Sequence, residues 1–376
     1  MKPIKIFVSA LEYSANLHLA NLLAVFKQKN IPFTLCGIFD MQVVPDFKSN
    51  FEPSIFRVMG FVGILKLIPR FLRAKHQLAN IATNCDIALF MDSSSFNIPL
   101  IQTIRKNPKT PHIIYYILPQ VWAWKPKRAQ VLSEICDELW GILPFENDFY
   151  PANTPLSYVG HPLLDAIPYT LTTQQESDKI AFMPGSRKSE IQALLPTFKA
   201  LAIRLKNEGK TPILIVPKSF KTRNLNAIYG DTSVFTLHFD TYDALRECTF
   251  AFVCSGTATL ESTLLGIPTI LAYKARVLDY YIAKTLVRLN FIGLANIFLE
   301  FSTFGAPKHN PNPNIPLIHP EFLQDAVCED TLYQAYKHYD YARFFNQKQK
   351  LLEYLKCGSA ESCAQNLENF IKNLQK

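Results

Sequence analysis

Short runs of consecutive apolar residues alternate along most of the chain with longer segments whose apolar residues recur every three or four positions. The short runs predict buried strands, and the longer segments predict amphipathic helices. Strands that alternate with helices in this way are typical of parallel, doubly wound α/β sheets. The predicted strands cover residues 4–8, 33–36, 87–91, 113–118, 139–142, 180–183, 213–216, 234–237, 250–254 and 269–272.

The alternation stops after Val159 and starts again at Lys179, which indicates two domains. The segment between them is polar, rich in Thr and Gln and without an apolar period, so it is predicted to be a linker. The apolar stripe of the last helices packs either on the first domain or on a second subunit in a homodimer, and the sequence leaves both open. The predicted organisation is an N-terminal domain (1–166), a linker (167–178), a C-terminal domain (179–335) and terminal helices (336–376).

Composition narrows the setting without choosing a ligand. With 376 residues the chain is too long for one ordinary core, in agreement with two domains. Its 39 basic and 31 acidic residues give a formal charge of +8, which permits contact with anionic lipid, nucleic acid or phosphorylated substrates. The eight cysteines include no Cys-x-x-Cys pair and no nearby histidine at metal spacing, so a reduced cytoplasm is predicted. Neither a signal peptide nor a membrane-spanning helix is expected.

One segment concentrates basic charge among bulky apolar residues. Residues 58–81, the basic amphipathic segment, carry these strong charges: Lys66, Arg70, Arg73 and Lys75. Such a segment suits the headgroup boundary of an anionic bilayer. Alternatively, its apolar side faces the core of the N-terminal domain and its basic side faces solvent. A proline-rich stretch at 306–316 is expected to be a surface loop without regular structure.

The strand at 250–254 ends in small hydroxylated residues, where a helix is predicted to begin. Ser255, Gly256 and Thr257 offer hydroxyls and backbone N–H groups at the positive end of that helix, which is a favourable place for a phosphate. Glu261 lies one helical turn further on and suits a ribose hydroxyl. These residues predict a nucleotide diphosphate site. The alternative is a helix capped by Ser or Thr without any ligand.

A second anion-binding turn is predicted after the strand at 180–183. The chain continues there with Gly185, Ser186 and Arg187 at the start of a helix. Arg187 can hold a phosphate through two parallel hydrogen bonds and can stabilise charge on a leaving diphosphate. In the alternative interpretation Arg187 only forms a surface ion pair.

Further motifs mark the N-terminal domain. Residues 91–97 read MDSSSFN after one strand, residues 120–125 read QVWAWK after another, and residues 158–162 read YVGHP at the end of the domain. VMG at 58–60 and LPFE at 143–146 complete the series. In this order, and together with the two anion-binding turns, the motifs resemble those of lipid-A-disaccharide synthases. The match covers most of the chain.

The resemblance implies a glycosyltransferase of GT-B type, with two doubly wound, Rossmann-like domains and an active-site cleft between them. It implies sugar transfer from UDP-2,3-diacylglucosamine to 2,3-diacylglucosamine 1-phosphate, with inversion at the anomeric carbon and release of UDP. The implied product is lipid A disaccharide 1-phosphate. The resemblance further implies no metal and no other cofactor, no nucleic-acid partner, and a peripheral position on the cytoplasmic face of the inner membrane.

Asp92 is the residue best suited to general base catalysis. It closes an apolar strand at the end that faces the ligand crevice in open α/β sheets. An inverting transfer needs a base to take the proton of the attacking hydroxyl, and apolar walls raise a carboxyl pKa toward the range this role favours. Ser95 stands where the family often has a second aspartate, which concentrates the role on Asp92. Alternatively, Asp92 only caps the following helix.

The loop after the first strand departs from the family pattern Gly-Glu-x-Ser-Gly-Asp. This chain has Leu-Glu-Tyr-Ser-Ala-Asn at residues 11–16, so the turn must differ, because Ala15 does not easily take the positive φ that glycine allows. Glu12 and Ser14 are retained. We therefore expect Glu12 to be the second catalytic candidate, and Ser14 and Asn16 to bind the acceptor.

Two further residues are candidates through their motifs. His161 follows a glycine at the domain boundary, where its ring could bind the sugar or its phosphate; the alternative is a structural histidine that bonds to backbone. Asn296 matches a Leu-Pro-Asn element of the family and is a candidate for the uracil or the sugar; a loop-stabilising role is the alternative. Trp122 and Trp124 are interpreted as packing residues that shape the acceptor site.

Other functions remain to be weighed. A peptidoglycan transferase that uses UDP-N-acetylglucosamine, or a nucleotide-sugar epimerase, would keep the phosphate turns but lack the surroundings of Trp122. A nicotinamide dehydrogenase is disfavoured, since no glycine fingerprint follows the first strand. A non-catalytic basic protein of the membrane surface would explain the charge but leave the anion turns and Asp92 without a role.

Overall fold

A computed structural model of the chain describes residues 3–53, 64–274, 289–305 and 315–374. The chain divides into two compact units. The first unit is built from Met1–Ala166 together with Leu355–Lys376, and the second from Ile167–Tyr354. The first unit is therefore made from both ends of the chain.

The first unit contains a six-stranded parallel sheet in the order β2-β1-β3-β4-β5-β6. The central strand β3 is buried at every position, because its sequence IALFM is apolar throughout and helices cover both faces of a parallel sheet. Since the strand order reverses between β1 and β3, the switch point of this sheet lies there. Its strands are β1 (Ile4–Ala10), β2 (Phe33–Ile38), β3 (Ile87–Met91), β4 (His112–Tyr116), β5 (Glu138–Gly141) and β6 (Leu156–Tyr158).

The second unit repeats this architecture with the order β12-β11-β10-β7-β8-β9. Its switch point lies between β7 and β10, which are direct neighbours. Phe182 and Phe252 stack across these two strands with ring centroids 5.2 Å apart, so the middle of this sheet is packed with aromatic side chains. Its strands are β7 (Lys179–Met183), β8 (Thr211–Ile215), β9 (Thr236–His238), β10 (Phe250–Cys254), β11 (Thr269–Tyr273) and β12 (Glu321–Leu323).

Helices connect the strands in both units. In the described residues they are α1 (Tyr13–Gln28), α2 (Ile64–Ala82), α3 (Ser94–Ile104), α4 (Lys127–Ile135), α5 (Leu163–Ala166), α6 (Lys188–Asn207), α7 (Leu225–Tyr229), α8 (Thr241–Arg246), α9 (Thr257–Leu265), α10 (Leu294–Phe304), α11 (Glu329–Lys337), α12 (Tyr341–Leu355) and α13 (Ala360–Leu374). No helix among these is long and apolar enough to cross a membrane.

The last helix, α13, belongs to the core of the first unit. Cys363, Ala364 and Leu367 on its apolar stripe are buried in the same cluster as residues of α1. Asp165 fixes the start of the helix, because its carboxylate accepts hydrogen bonds from the backbone N–H groups of Ser359 (2.8 Å) and Ala360 (3.0 Å). The Ser359 hydroxyl also bonds to Tyr116 OH at 2.6 Å.

The segment expected to be a linker begins as part of the second unit. Ile167, Tyr169 and Leu171 pack against an apolar cluster of that unit. The backbone N–H of Leu171 and the hydroxyl of Thr170 each donate to a carbonyl oxygen at the end of α9, and both hydrogen bonds are 2.7 Å long. The prediction of a linker missed these contacts because residues 167–178 are polar as a whole.

The expected doubly wound fold is confirmed, and each of the ten predicted strands is present. Two strands were not predicted, β6 and β12. Each has only three residues, lies at the edge of its sheet and is not fully buried. Such a short strand contains no apolar run from which it could be predicted. Most of the proline-rich stretch at 306–316 lies outside the described residues, as do 58–63 of the basic amphipathic segment.

Candidate active site

In each unit several of the predicted site residues follow the strands on either side of the switch point, at the carboxyl edge of the sheet. Glu12 follows β1 and Asp92 follows β3 in the first unit. In the second unit Gly185 follows β7, and Ser255 follows β10. Ligands of open α/β sheets bind in the crevice at this position, so the topology brings each set of residues to the place where a ligand is expected.

The backbone turns sharply at Asp92 where β3 passes into α3. Asp92 has φ 49° and Ser93 has φ 39°, so two consecutive non-glycine residues adopt the left-handed conformation. Such residues cost conformational energy and persist only where the surroundings hold them. Here the carbonyl oxygen of Asp92 accepts hydrogen bonds from Tyr115 OH and from Asn97 Nδ2, the latter at 2.9 Å. The side chain of Asp92 is therefore presented from a fixed elbow.

A buried polar network supports this elbow. Asn97 donates from Nδ2 to the carbonyl oxygen of Met91 at 3.1 Å, and its Oδ1 accepts from the hydroxyl of Ser9 on β1 at 2.7 Å. Asn97 and Ser9 are both fully buried. The sequence analysis did not assign Asn97 a role. Asn97 could have been recognised as a polar residue on the apolar face of a helix, because a buried amide needs hydrogen-bond partners.

Burial also tunes the Asp92 carboxyl. It raises the pKa of this group above the ordinary carboxyl value, and a hydrogen bond from the N–H of Ser93 opposes part of that increase. A carboxylate with a raised pKa binds a proton more tightly than an ordinary one. The direction of the shift therefore suits a general base. The N-cap of α3 is Ser93 rather than Asp92.

Glu12 and Ser14 are exposed at the neighbouring strand end, as a ligand contact requires. Glu12 holds the N-cap position of α1, but its side chain makes no capping bond. Ala15 lies inside the first turn of α1 and does not have a positive φ. Because the Glu12 carboxylate does not cap its own helix, it can contact a ligand.

Asn16 has a different position from the one we expected for an acceptor ligand. It is fully buried, and its Nδ2 donates to the carbonyl oxygens of Ala10 (3.0 Å) and Glu12 (2.8 Å). Its Oδ1 accepts from the N–H of Asp40 at 2.8 Å. Asn16 therefore stabilises the turn between β1 and α1, and its expected contact with the acceptor stays a prediction.

His161 also serves the fold of the first unit. The backbone N–H of His161 donates to the carbonyl oxygen of Cys357 at 2.9 Å, and the ring Nδ1 accepts from the backbone N–H of Leu163 at 3.3 Å. The residue is only 4% exposed, and burial lowers the pKa of its ring to about 3, so the imidazole is neutral. These contacts support the structural alternative, in which His161 holds the returning C-terminal segment, and the expected contact with the sugar stays a prediction.

The turn after β10 keeps its backbone open. Gly256 is the N-cap of α9 with φ 146°, a conformation that L side chains rarely adopt, and a Cβ at this position would meet open space. Gly256 and Thr257 are exposed. The Thr259 hydroxyl donates to the Gly256 carbonyl at 2.7 Å. The first N–H groups of an α-helix have no carbonyl partner within the helix and can bind an anion. This arrangement suits a phosphate.

The turn after β7 lies beside it. Gly185 has φ 102°, and a Cβ there would come within 3.3 Å of Cys254 Sγ at the end of β10, so the two turns are in close contact. Arg187 is 80% exposed and pairs with Glu190, with Nη1 and Oε1 2.9 Å apart. The ion-pair alternative is therefore present, but one carboxylate contact leaves other N–H groups of the guanidinium open. Ser186 is exposed beside it.

Glu261 and Asn296 are the remaining nucleotide candidates. Glu261 accepts a hydrogen bond from Tyr242 OH at 3.0 Å, and burial raises the pKa of its carboxyl. Asn296 is fully buried: its Nδ2 donates to the His319 carbonyl at 2.9 Å and to Glu321 Oε1 at 2.8 Å. These bonds stabilise the start of α10, which agrees with the loop-stabilising alternative for Asn296. Its contact with the uracil or the sugar stays a prediction.

Two tryptophans of the QVWAWK motif have opposite environments. Trp122 is buried and packs edge-on against Phe145, as expected. Trp124 is 47% exposed and is not the packing residue we expected. Arg128, which the sequence analysis missed, joins this region to the elbow, because it donates to the hydroxyls of Ser94 (2.5 Å) and Ser95 (3.3 Å). Among the residues described, no group of three or more His, Cys, Asp or Glu is placed to hold a metal ion.

Two doubly wound parallel sheets, each with candidate ligand-binding residues at its switch point, form the architecture of a glycosyltransferase of GT-B type. Solved structures share the fold. MurG from Acinetobacter baumannii has a TM-score of 0.56 at 11% identity and covers 98% of this chain and 100% of its own. S. aureus MnaA, solved with UDP, has a TM-score of 0.57 at 13% identity and covers 100% of this chain and 97% of its own.

Sequence comparison then identifies the family. The family model of lipid-A-disaccharide synthetase matches residues 6–361. A lipid-A-disaccharide synthase of Helicobacter pylori strain J99 is 42% identical over 98% of this chain and 99% of its own length. One from Campylobacter jejuni strain RM1221 is 43% identical over 96% of this chain and 98% of its own. The chain belongs to the lipid-A-disaccharide synthase family, which confirms the expected glycosyltransferase and does not favour a peptidoglycan transferase or an epimerase.

Proposed function

We propose that this protein transfers a diacylated glucosamine from its UDP form to a diacylated glucosamine 1-phosphate, with Asp92 as the general base. The observation that carries the proposal is the elbow: a half-buried carboxylate with a raised pKa, held at the switch point by buried hydrogen bonds. Family membership supports the formation of a lipid A disaccharide.

The proposed step conserves atoms and charge. The Asp92 carboxylate takes the proton of an acceptor hydroxyl as that oxygen forms a bond to the anomeric carbon of the donor. The bond from this carbon to the diphosphate oxygen breaks on the opposite side, which inverts the configuration. UDP leaves with the bonding electron pair. Arg187 and the N–H groups at the start of α9 stabilise its negative charge.

The assignment of the remaining residues follows from their positions beside the strand ends at the two switch points. Glu12 and Ser14 lie at the neighbouring strand end and contact the acceptor. Gly185, Ser186, Ser255, Gly256 and Thr257 surround the diphosphate. The free oxygen of Glu261 binds the ribose, since the other oxygen is held by Tyr242.

Mass spectrometry of the products tests the function directly. Wild-type protein incubated with UDP-diacylglucosamine and diacylglucosamine 1-phosphate is expected to form the disaccharide 1-phosphate and UDP in equal amounts. Asp92→Asn is expected to abolish most of the product, whereas Asp148→Asn, an exposed aspartate of the same unit, is the matched control. UDP binding by wild-type protein without any disaccharide would contradict the proposal and favour a non-catalytic protein.

We also propose that the protein binds the cytoplasmic surface of the inner membrane through the first part of the basic amphipathic segment. In the described part of α2, Ala74, Leu78 and Ala82 are buried in the core, while Arg73 is exposed. The core-facing alternative thus applies to the end of this helix. The membrane proposal concerns residues 58–72, whose side chains lie outside the described set.

Flotation with vesicles tests this association. Wild-type protein should float with anionic vesicles at low salt and less at high salt, because salt screens the basic charges. Phe61→Ser/Leu65→Ser and Arg70→Glu/Arg73→Glu should each reduce flotation. Equal flotation of all three proteins would refute the role of this segment.

A further inference from the structure

A basic and aromatic surface lies beside the Asp92 elbow and has no role in the reaction as described so far. We call it the Trp124 cluster: Trp124, Lys125, Lys127 and Arg128. Lys125 Nζ lies 4.2 Å from the ring centroid of the exposed Trp124, and the Arg128 guanidinium carbon lies 5.6 Å from it. One indole thus gathers two cations on the surface.

The cations of this cluster are not neutralised by acids. In the part of the chain that the structure describes, neither Lys125 nor Lys127 nor Arg128 forms an ion pair. Other basic residues of the protein do: Arg204, for example, pairs with both Glu329 (2.8 Å) and Asp330 (2.7 Å). Three neighbouring positive charges without a counter-charge repel each other and attract an anion.

Hydrogen bonds join the cluster to the elbow. Arg128 donates to the hydroxyls of Ser94 and Ser95, which follow Asp92 after one and two intervening residues. Lys125 has φ 53°, a left-handed conformation that is unfavourable for a side-chain-bearing residue and is found enriched at binding sites. The charges are therefore held at a fixed place next to the general base, on the unit that carries the base.

We propose that the Trp124 cluster binds the phosphate of the acceptor, a phosphomonoester on the anomeric carbon of an acylated sugar. This inference rests on the proposed function. The diphosphate of the donor already has its own turns, on the second unit. The acceptor is the substrate whose hydroxyl must reach Asp92, so its phosphate is the anion that comes near this cluster.

The residues of the cluster have distinct parts in this subsite. The planar guanidinium of Arg128 suits two oxygens of a phosphate, and the hydroxyls of Ser94 and Ser95 keep it oriented without reducing its charge. Lys125 and Lys127 add compact positive charges. The same chemistry would also fit the phosphate of a lipid headgroup, and the experiment must separate these two sources.

Steady-state kinetics with two acceptors provides the test. The acceptors are diacylglucosamine 1-phosphate and the same lipid without its phosphate. Lys125→Ala/Arg128→Ala should raise the KM for the phosphorylated acceptor about tenfold or more, as the loss of charged hydrogen bonds implies, and leave the KM for the UDP sugar unchanged. With the dephosphorylated acceptor, variant and wild type should be equal.

Two further variants keep the result interpretable. Lys125→Ala/Lys127→Ala removes only exposed side chains, so it should fold even if the loss of Arg128 disturbs the elbow. Lys106→Ala/Lys109→Ala removes two exposed charges from the connection between α3 and β4, at the opposite edge of the same sheet, and should leave both KM values unchanged. Flotation of each variant with vesicles of phosphatidylglycerol and phosphatidylethanolamine measures headgroup binding.

The outcomes are distinct. An equal loss with both acceptors would overturn the proposal in favour of a structural role. Reduced flotation with unchanged kinetics would overturn it in favour of lipid headgroups. Calorimetric binding of the phosphorylated acceptor without donor separates this inference from the proposed function. If wild type binds the acceptor more tightly than the variant but transfers no sugar, the proposed function fails and the subsite stands.

Discussion

The elbow of the first unit and the phosphate turns of the second lie at equivalent switch points but are built by different means. At the elbow, left-handed non-glycine residues are held by the buried side chains of Asn97, Ser9 and Tyr115. At the turns, Gly185 and Gly256 take the unusual backbone conformations, and the neighbouring residues are exposed. A base needs one fixed carboxylate, whereas a diphosphate needs open backbone N–H groups and mobile cations.

Substitution of the base should have the largest effect and should be confined to the first unit. Asp92→Asn is expected to lower turnover by about 10² or more, the typical contribution of general base catalysis. UDP affinity, measured by calorimetry, should remain near that of wild type, because the nucleotide turns are on the second unit. Retention of more than about a tenth of the activity would move the base elsewhere, with Glu12 as the next candidate.

Loss of the exposed Arg187 side chain should lower UDP affinity, the quantity that the substitution of Asp92 leaves unchanged. Arg187→Ala is expected to weaken UDP binding by about 1.5–3 kcal/mol, the range for a hydrogen bond to a charged group. Lys188→Ala, an exposed neighbour, is the control. Unchanged UDP affinity in calorimetry would remove Arg187 from the nucleotide site and leave it with its ion pair to Glu190.

Removal of the network amide should show that the elbow depends on buried hydrogen bonds. Asn97→Ala leaves the Ser9 hydroxyl and the Met91 carbonyl without this partner, so a loss of about 1–3 kcal/mol in unfolding free energy is expected in denaturant titrations. Turnover should fall while the KM for the UDP sugar stays constant. Normal stability together with normal turnover would show that the elbow holds itself.

The smallest effect concerns pH. A carboxyl whose pKa is raised on folding contributes stability below its unfolded pKa, and this stability is lost as the pH rises through the folded pKa. At neutral pH the ionised Asp92 is therefore slightly destabilising. Asp92→Asn should have a Tm slightly above wild type at pH 7, an advantage that disappears at pH 4. A lower Tm at pH 7 would contradict the direction of the shift.

The sequence was sufficient wherever a local pattern determined the structure. β3 and β10 were predicted with their observed bounds, because each is an uninterrupted apolar run that ends in a polar turn. β6 was missed, since its three residues lie at a sheet edge, none of them is fully buried, and they carry no such pattern. The candidate site residues that follow a strand end, such as Asp92 and Gly256, were placed at their strand ends by the same logic.

Polar residues inside motifs were harder to interpret. Asn16, His161 and Asn296 all looked like ligand contacts, but each is buried and bonded to backbone within its own unit. Their partners include residues distant in sequence, such as Cys357 for His161. Burial and partners of this kind depend on tertiary packing, which a local pattern does not contain. The same applies to the bonds of Arg128 with Ser94 and Ser95.

The anchoring of α13 by Asp165 has a consequence for biosynthesis. Because the first unit includes residues 355–376, its core is still incomplete when the ribosome has finished every other part of the chain. The second unit is continuous in sequence and can complete its fold earlier. Domains usually mature from the N-terminus onward during translation, and this chain reverses that order. The nascent first unit therefore has part of α1 uncovered until α13 emerges.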